Sequence, residues 1–286
     1  MADKLLAFPW FGGKYIHIDF LRKYMPADID HFVDVFGGSA SVIINMPPCR
    51  VKTYNDINGE IVNFFRVLRD KHEELLPKIH LTPFARDEFG AALEDSPADI
   101  SDVERARRFF VRVRQSRNAM EGQPGLTARQ WRRSAYCDRS LAAHFGEHAD
   151  NLLDVVHVFK PIQIENDPAV KIIKGLDSPT VFFYCDPPYL SSTRSGGKAY
   201  RHEMTEAEHI EFAETLTKCE ARAMISGYRS KLYDELFADW TRIDDKPYIA
   251  NTTRNAPTQT ARVESIWINY EPPQQSTVKQ EALELC

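Results

Sequence analysis

Short apolar runs alternate with longer amphipathic segments along most of this chain. Strand-like runs lie near residues 31–36, 51–54, 181–185, 222–226 and 263–270. The apolar periodicity over residues 57–79 predicts a helix with Asn58 as a candidate N-cap. Thr205 and Glu208 form a capping-box pattern that opens another helix, which we predict to continue to Cys219. Strands that alternate with helices predict an α/β fold built on a mostly parallel sheet.

This alternation is interrupted between about residues 72 and 150, where the sequence is helical, rich in arginine and short of strand signals. We interpret the stretch as a second domain inserted into the first. The predicted boundaries are residues 1–70 and 156–270 for the two segments of the main domain, 71–155 for the insertion and 271–286 for a polar tail.

Composition narrows the class of protein. The chain has 286 residues, of which 43% are hydrophobic, so it can bury a sizeable core. No apolar run approaches the ~20 residues of a membrane span, and the first residues lack a signal-peptide pattern. We therefore expect a cytoplasmic protein with no membrane partner, either a monomer or a homodimer. The five cysteines and nine histidines show no ligand spacing, so we expect free thiols and no metal site.

The net charge of −5 is distributed unevenly. Ten arginines but only three acidic residues lie between Val103 and Arg139, a local net charge of +7 that leaves −12 for the remainder. Phe109, Phe110 and Trp131 interrupt this run. A basic face with interspersed aromatic residues favours a nucleic-acid-binding surface, and arginines paired with acids on a solvated helix are the alternative.

The tetrapeptide Asp186-Pro187-Pro188-Tyr189 follows the apolar run at 181–185. It is therefore expected at the carboxyl end of a buried strand, where open α/β sheets bind ligands. The Asp186 carboxylate and the Pro187 carbonyl can accept the two N–H bonds of an exocyclic amino group and direct its lone pair outward. Tyr189 offers a ring on which an extruded base can stack. A surface turn is the alternative, since Asp and Pro are common in turns.

Three further segments have the residue types of a cofactor site. The first lies near the N-terminus and contains Trp10, Gly12, Gly13 and Lys14. Its paired glycines permit a ligand to approach the backbone closely, and its lysine could meet a carboxylate. The second, residues 34–41, joins a strand to an apolar stretch through small residues. Asp56 follows the next strand, where an acid can accept hydrogen bonds from both ribose hydroxyls, although a helix N-cap explains it equally well.

Taken in this order, the segments resemble the Dam-type, alpha-group DNA adenine-N6 methyltransferases over roughly residues 6–65 and 161–270. The resemblance implies a Rossmann-like S-adenosylmethionine-dependent methyltransferase sheet with an inserted, mainly helical DNA-recognition domain. It implies the catalytic residues Asp186, Pro187, Pro188 and Tyr189. It implies cofactor contacts by Trp10, Gly12, Gly13, Lys14, Asp34, Phe36, Gly38, Ser39, Ala40, Asp56, Ile57, Asp167 and Asp186. Ala40 departs from the glycine that ends the family's FxGxG loop.

The resemblance implies transfer of the methyl group of S-adenosylmethionine to N6 of an adenine that is rotated out of double-stranded DNA. We predict Gln115, Arg117 and Asn118 as base readers, because they flank a predicted turn at 121–125. Arginines predicted to contact phosphates are Arg105, Arg107, Arg129, Arg132 and Arg133. A predicted closing loop at 191–200 adds Arg194, Lys198 and Tyr200.

Three alternatives stay open on the sequence. An N4-cytosine methyltransferase would use the same chemistry, although Asp before Pro-Pro favours adenine. A protein-glutamine methyltransferase also modifies a planar amide nitrogen, but it usually has Asn at that position and needs no basic insertion. A DNA-binding regulator that has lost catalysis is the third, because of Ala40 in the cofactor loop.

Overall fold

The computed structural model describes residues 4–94, 99–117, 128–132, 140–190, 202–247 and 263–273. The strands in these ranges are β1 (His31–Asp34), β2 (Val51–Asn55), β3 (Gln163–Glu165), β4 (Val181–Cys185), β5 (Arg222–Gly227), β6 (Thr241–Asp244) and β7 (Ser265–Ile268). They form one sheet in the order β3-β2-β1-β4-β5-β7-β6. Neighbouring strands are parallel except at β7, which runs antiparallel to both β5 and β6. The predicted α/β fold with a mostly parallel sheet is confirmed.

The central strands form where the sequence is apolar on both faces. All five residues of β4 are buried, as expected for a parallel strand that is covered by helices on both sides. β1 pairs with β2 on one side and with β4 on the other, so the strand order reverses there. Such a switch point opens a crevice beyond the carboxyl ends of the strands. Asp34 ends β1 and Asp186 follows β4, so both carboxylates lie at this crevice.

Helices cover both faces of the sheet. The described helices are α1 (Ile18–Tyr24), α2 (Gly59–Asp70), α3 (His72–His80), α4 (Arg86–Leu93), α5 (Asp102–Gln115), α6 (Leu141–Asp150), α7 (Leu152–Phe159), α8 (Ala169–Leu176), α9 (Glu206–Leu216) and α10 (Lys231–Leu236). Within the described ranges, no helix combines the length and the apolar character needed to cross a bilayer.

The helix ends follow local sequence, with two corrections. The single helix predicted over 57–79 is wrong, because the backbone leaves the helical region at Lys71 (φ −135°) and divides it into α2 and α3. Asn58 caps α2 as predicted, accepting a hydrogen bond from the Glu60 backbone N–H at 3.0 Å. The capping box of Thr205 and Glu208 is confirmed, but α9 ends at Leu216 rather than at Cys219.

The strands β3 and β6 were not predicted, because both lie at the edges of the sheet. Their residues are exposed or half-buried and therefore largely polar, so no apolar run marks them. The strands predicted at 31–36 and 263–270 are shorter than expected. The chain turns after Asp34, and only Ser265–Ile268 pairs with its neighbours.

Helix α5 of the arginine-rich region packs directly on the main sheet's helices. Phe109 and Phe110 lie 5.4 and 6.0 Å from Phe64 of α2, measured between ring centroids. Phe109 also contacts Phe8 at 5.2 Å. These residues belong to the same buried cluster as the sheet residues Phe32 and Tyr54, whereas a smaller cluster around Phe89 lies apart. The described part of the insertion thus shares the main core, and the domain boundaries stay a prediction.

Candidate active site

An open cleft of about 780 Å³ lies beyond the carboxyl ends of β1, β2 and β4. The predicted site residues that line it are Trp10, Gly12, Gly13, Lys14, Asp34, Phe36, Gly38, Ser39, Asp56, Ile57, Asp186 and Pro188. Ile61, Tyr184 and His202 also line it and were not predicted. The fold therefore brings into one cleft four segments that are far apart in the sequence.

Lys14 and Asp186 form a largely buried ion pair in this cleft. The Lys14 Nζ donates to Asp186 Oδ2 at 2.8 Å, and the two side chains are 3% and 17% exposed. The sequence predicted a carboxylate partner for Lys14, and the structure identifies it as Asp186. Burial raises the pKa of the Asp186 carboxyl above its usual value, while the positive charge of Lys14 opposes that shift.

Ser226 and Glu264 lie next to this ion pair, and neither was predicted from the sequence. Ser226 Oγ donates to Asp186 Oδ1 at 3.1 Å, and the buried Glu264 carboxylate lies 3.7 Å from Lys14 Nζ. Ser226 lies near the end of β5, and Glu264 immediately precedes β7. Their sequence signal is a polar residue at a strand end, but only the strand order shows that β5 lies beside β4 and that β7 lies beside β5.

Tyr189 is buried against the same group. Its hydroxyl donates to Glu264, Lys14 Nζ lies 4.9 Å from its ring centroid, and the Tyr228 ring packs against it edge-on at 4.6 Å. Tyr189 is 9% exposed, and Pro187 is buried beside it. The stacking role predicted for Tyr189 and the acceptor role predicted for the Pro187 carbonyl stay predictions.

The turn after β1 brings its backbone close to Trp10. Gly38 has φ +47°, in the left-handed region that favours glycine, and a Cβ there would lie 3.2 Å from the Trp10 ring. A Cβ on Gly37 would collide with the ring of Tyr54, whose hydroxyl donates to the Gly38 carbonyl at 2.7 Å. Ala40 is fully buried and does not line the cleft. It shapes the turn with φ +57°.

Asp34 is the site's least satisfied polar group. It is 1% exposed, and neither carboxylate oxygen has a well-formed hydrogen bond with the described residues. Burial raises the pKa of Asp34 well above its usual value, and the nearby negative charge of Asp186 adds to the shift. An unpartnered carboxylate on a ligand cleft fits a ligand with positively charged groups. S-adenosylmethionine, with its amino and sulfonium groups, is such a ligand.

Asp56 lies at the carboxyl end of β2 and holds the turn by two backbone contacts. Its Oδ2 accepts from the Gly38 N–H at 2.9 Å, and its Oδ1 accepts from the Asn58 N–H at 2.7 Å. The neighbouring Ile57 is 46% exposed, an unusual apolar surface at the cleft. Asp167 does not line the cleft, because its carboxylate pairs with Lys171 at 2.8 Å.

The predicted DNA contacts of Arg105, Arg107 and Gln115 do not agree with the structure. Arg105 pairs with Glu60 at 2.5 Å, and Arg107 pairs with Glu88 and Glu104 while only 14% exposed. Gln115 is fully buried: it donates to the Pro83 carbonyl at 2.9 Å and accepts from Trp131 Nε1 at 3.2 Å. Arg105 and Arg107 therefore fit the alternative interpretation, in which the arginines pair with acids of the protein. Gln115 has a structural role.

Three of the other predicted DNA contacts are accessible. Arg117, Arg129 and Arg132 are all exposed, and their DNA contacts stay predictions. The remaining candidates lie outside the described residues: Asn118, Arg133, Arg194, Lys198 and Tyr200.

The chain is similar to known proteins over most of its length. The family model described as "D12 class N6 adenine-specific DNA methyltransferase" matches residues 10–250. The type II methyltransferase M1.LlaDCHI of Lactococcus lactis subsp. cremoris is 25% identical over 249 residues, covering 81% of this chain and 84% of that protein. A DNA adenine methylase of Serratia marcescens is 23% identical over 243 residues, with the same coverage of 81% and 84%.

A solved structure described as an rRNA-methylase from Clostridium thermocellum covers 88% of this chain and 94% of its own, with a TM-score of 0.39 and 9% identity. That likeness is too distant to carry a conclusion. The family model, in contrast, spans most of the chain, including the cofactor segments and the Asp186 tetrapeptide. The chain therefore belongs to the D12 class of N6 adenine-specific DNA methyltransferases.

Proposed function

We propose that the cleft binds S-adenosylmethionine beside Asp186, and that the chain methylates N6 of an adenine rotated out of double-stranded DNA. The class of enzyme, an adenine-specific DNA methyltransferase, follows from the family. The observation that carries the assignment of the site is the position of Asp186. It lies at the end of β4, in the same cleft as Asp34, Gly38 and Asp56.

The cofactor-binding half of the cleft is formed by the ends of β1 and β2. We assign the ribose hydroxyls to Asp56, whose oxygens keep lone pairs beyond the two backbone N–H bonds they accept. Ile57 offers exposed apolar surface to the adenine ring, and Asp34 offers its unpartnered carboxylate to a positively charged group. Gly38 permits backbone contact. When bound, S-adenosylmethionine supplies an electrophilic methyl group on a sulfonium.

The catalytic half contains Asp186 and its neighbours. Asp186 accepts one N–H of the target amino group and the Pro187 carbonyl accepts the other, which directs the nitrogen lone pair toward the methyl donor. Lys14 offsets the burial that raises the pKa of Asp186, so that the carboxylate stays an acceptor. Tyr189 stacks on the flipped base after a rearrangement of its contacts. Positioning and water exclusion account for most of the rate, since no covalent enzyme intermediate is needed.

The DNA contacts and the biological setting are also proposals. The exposed Arg117, Arg129 and Arg132 contact the duplex from the arginine-rich region. The similarity to a type II methyltransferase supports a role in restriction-modification.

The test is the variant Asp186→Asn, which keeps the shape of the side chain but replaces one acceptor oxygen with an amide. We expect methylation of duplex DNA to fall about 100-fold or more, while the affinity for S-adenosylmethionine changes little. Radiolabelled methyl transfer and calorimetry measure the two quantities. Asp28→Asn, at an exposed aspartate paired with Arg222, is the control.

Long-read sequencing of DNA from cells that express the protein identifies the product. We expect N6-methyladenine at one short sequence motif, absent from cells that express Asp186→Asn. N4-methylcytosine instead would contradict the proposal, as would wild-type rates in the variant.

A further inference from the structure

The arginines of the inserted region fall into two groups by their contacts. Those along most of α5 pair with acids of the protein. The pairs are Arg105–Glu60, Arg107–Glu104, Arg108–Glu104 and Arg112–Glu60, at 2.5, 2.7, 3.1 and 3.4 Å between nitrogen and oxygen. The charges of this group are neutralised within the protein, and they are not available to a partner.

Arg114, the penultimate residue of α5, has no such partner among the described residues. Its buried Nε–H lacks a hydrogen bond, and no carboxylate of the described residues pairs with its guanidinium. Burial lowers the pKa of Arg114 to about 9, and the positive charge of Arg132 acts in the same direction. The guanidinium still carries its charge at neutral pH. Among the described residues, these two like charges therefore have no counter-ion.

The surroundings of these two arginines are firmly packed. Ser116 and Trp131 form an antiparallel bridge, and the Arg132 N–H donates to the Gln115 carbonyl at 2.8 Å. The buried Gln115 holds Trp131 through its indole N–H. Arg114 lies two residues before Ser116, and Arg132 directly follows Trp131. The bridge therefore fixes the backbones of the two arginines relative to each other.

We propose that Arg114 and Arg132 form a subsite for a phosphate group of the DNA backbone at the base of the Ser116–Trp131 bridge. An anion between two guanidinium groups that have no counter-ion among the described residues offsets their repulsion and can accept hydrogen bonds from their terminal N–H groups. A phosphate suits the site better than a base edge. Arg114 is only partly exposed, and a contact with a phosphate oxygen on the outside of the duplex requires less reach than a contact with a base edge inside a groove. The inference rests on the proposed DNA substrate.

The test is Arg114→Met in the full chain, which keeps the apolar stem and removes the charge. Binding to a fluorescent duplex of about 20 base pairs is measured by anisotropy over a series of salt concentrations. Each phosphate contact contributes about 0.9 to the slope of log K against log salt. We expect the slope to decrease by about 0.9 and the affinity to fall roughly tenfold at ~0.1 M salt.

Thermal unfolding of the same variant separates this role from a structural one. We expect the melting temperature of Arg114→Met to be unchanged or higher, because an unpaired, partly buried charge has been removed. Arg108→Met is the matched control on the same helix. Its charge is already neutralised by Glu104, so the wild-type salt slope should be kept.

The outcomes are distinct. A wild-type salt slope in Arg114→Met overturns the phosphate subsite, as does an equal decrease of the slope in Arg108→Met. In either case the proposed function stands as long as the wild-type chain methylates duplex DNA. A wild-type chain that neither binds nor methylates duplex DNA overturns both. A reduced slope in Arg114→Met with an unchanged or raised melting temperature supports the subsite.

Discussion

Ala40 lies at a position where the turn requires an unusual backbone conformation. Among the described residues it is the only non-glycine with positive φ (+57°). The turn requires this conformation because the Ala40 N–H donates to the Gly37 carbonyl and its own carbonyl accepts from the Ile44 N–H. A left-handed alanine costs about 1–2 kcal/mol relative to the right-handed conformation. Alanine in place of glycine at position 40 thus affects the stability of the protein, while the turn keeps its conformation.

We predict that Ala40→Gly is neutral or stabilising, by up to about 1 kcal/mol. The relief of the left-handed backbone is partly offset by the loss of a buried methyl and by the greater freedom of glycine in the unfolded chain. Chemical denaturation measures the difference. Cofactor affinity should be retained.

Ala40→Val is the contrasting variant. A β-branched residue at positive φ in a fully buried site should destabilise the protein by about 2–4 kcal/mol. Equal stability of the Gly and Val variants would show that the turn is not constrained in this way.

At the scale of elements, the site exists because several strand ends lie side by side. Asp186 directly follows β4, Ser226 lies in β5, and Glu264 immediately precedes β7. Two carboxylates and one lysine then share a buried space: Lys14 lies 2.8 Å from Asp186 and 3.7 Å from Glu264. Burial raises the pKa of Asp186, Lys14 opposes that shift, and Glu264 adds to it.

This arrangement predicts opposite pH shifts for two substitutions. The carboxylate form of Asp186 is the required acceptor, so activity should fall as pH decreases through its raised pKa. Lys14→Met removes the opposing charge and should move this acid limb to higher pH. Glu264→Gln removes a negative neighbour and should move it to lower pH.

The measurement is kcat/KM for methylation from about pH 5 to 9, with thermal unfolding to confirm that each variant is folded. The amide oxygen of Gln in Glu264→Gln can still accept a hydrogen bond from the Tyr189 hydroxyl, so this contact serves as an internal control. A shift of both variants in the same direction would contradict the charge arrangement.

At the scale of the whole molecule, the arginine-rich region and the cofactor cleft share one core. Phe109 of α5 contacts Phe8 at 5.2 Å and Trp10 at 6.2 Å between ring centroids. Trp10 in turn lines the cleft and approaches Gly38. A continuous aromatic contact therefore joins the helix with the basic surface to the cofactor turn. Because one buried cluster includes residues of both regions, we expect the two regions to unfold together.

We predict that Phe109→Ala lowers the stability of the whole chain by about 3–5 kcal/mol, in a single unfolding transition, and weakens cofactor binding. Denaturation followed by circular dichroism and by tryptophan fluorescence checks whether the transitions coincide.

Phe89→Ala is the matched control, since Phe89 is equally buried but belongs to the separate small cluster with Ala92 and Val111. It should leave cofactor affinity unchanged. Two separate transitions in Phe109→Ala, or an equal loss of cofactor affinity in Phe89→Ala, would argue against a shared core.

The sequence alone determined the features that depend on neighbouring residues. The apolar β4 run, the Asn58 cap, the capping box of Thr205 and the Asp186 tetrapeptide were all readable, because each follows from residue type at short spacing. Most predicted cofactor residues also line one cleft, since the ends of parallel strands meet at the same edge of a sheet.

Only the tertiary structure decided which charges are neutralised and which polar groups meet. The run of arginines looks uniform in the sequence, yet the fold pairs Arg107 with two acids, whereas no acid of the described ranges pairs with Arg114. Gln115 faces the core, although its neighbours on either side are arginine and serine. The physical reason is that charge pairing and burial depend on residues far away in the chain, which only the packing of helices and the order of strands bring together.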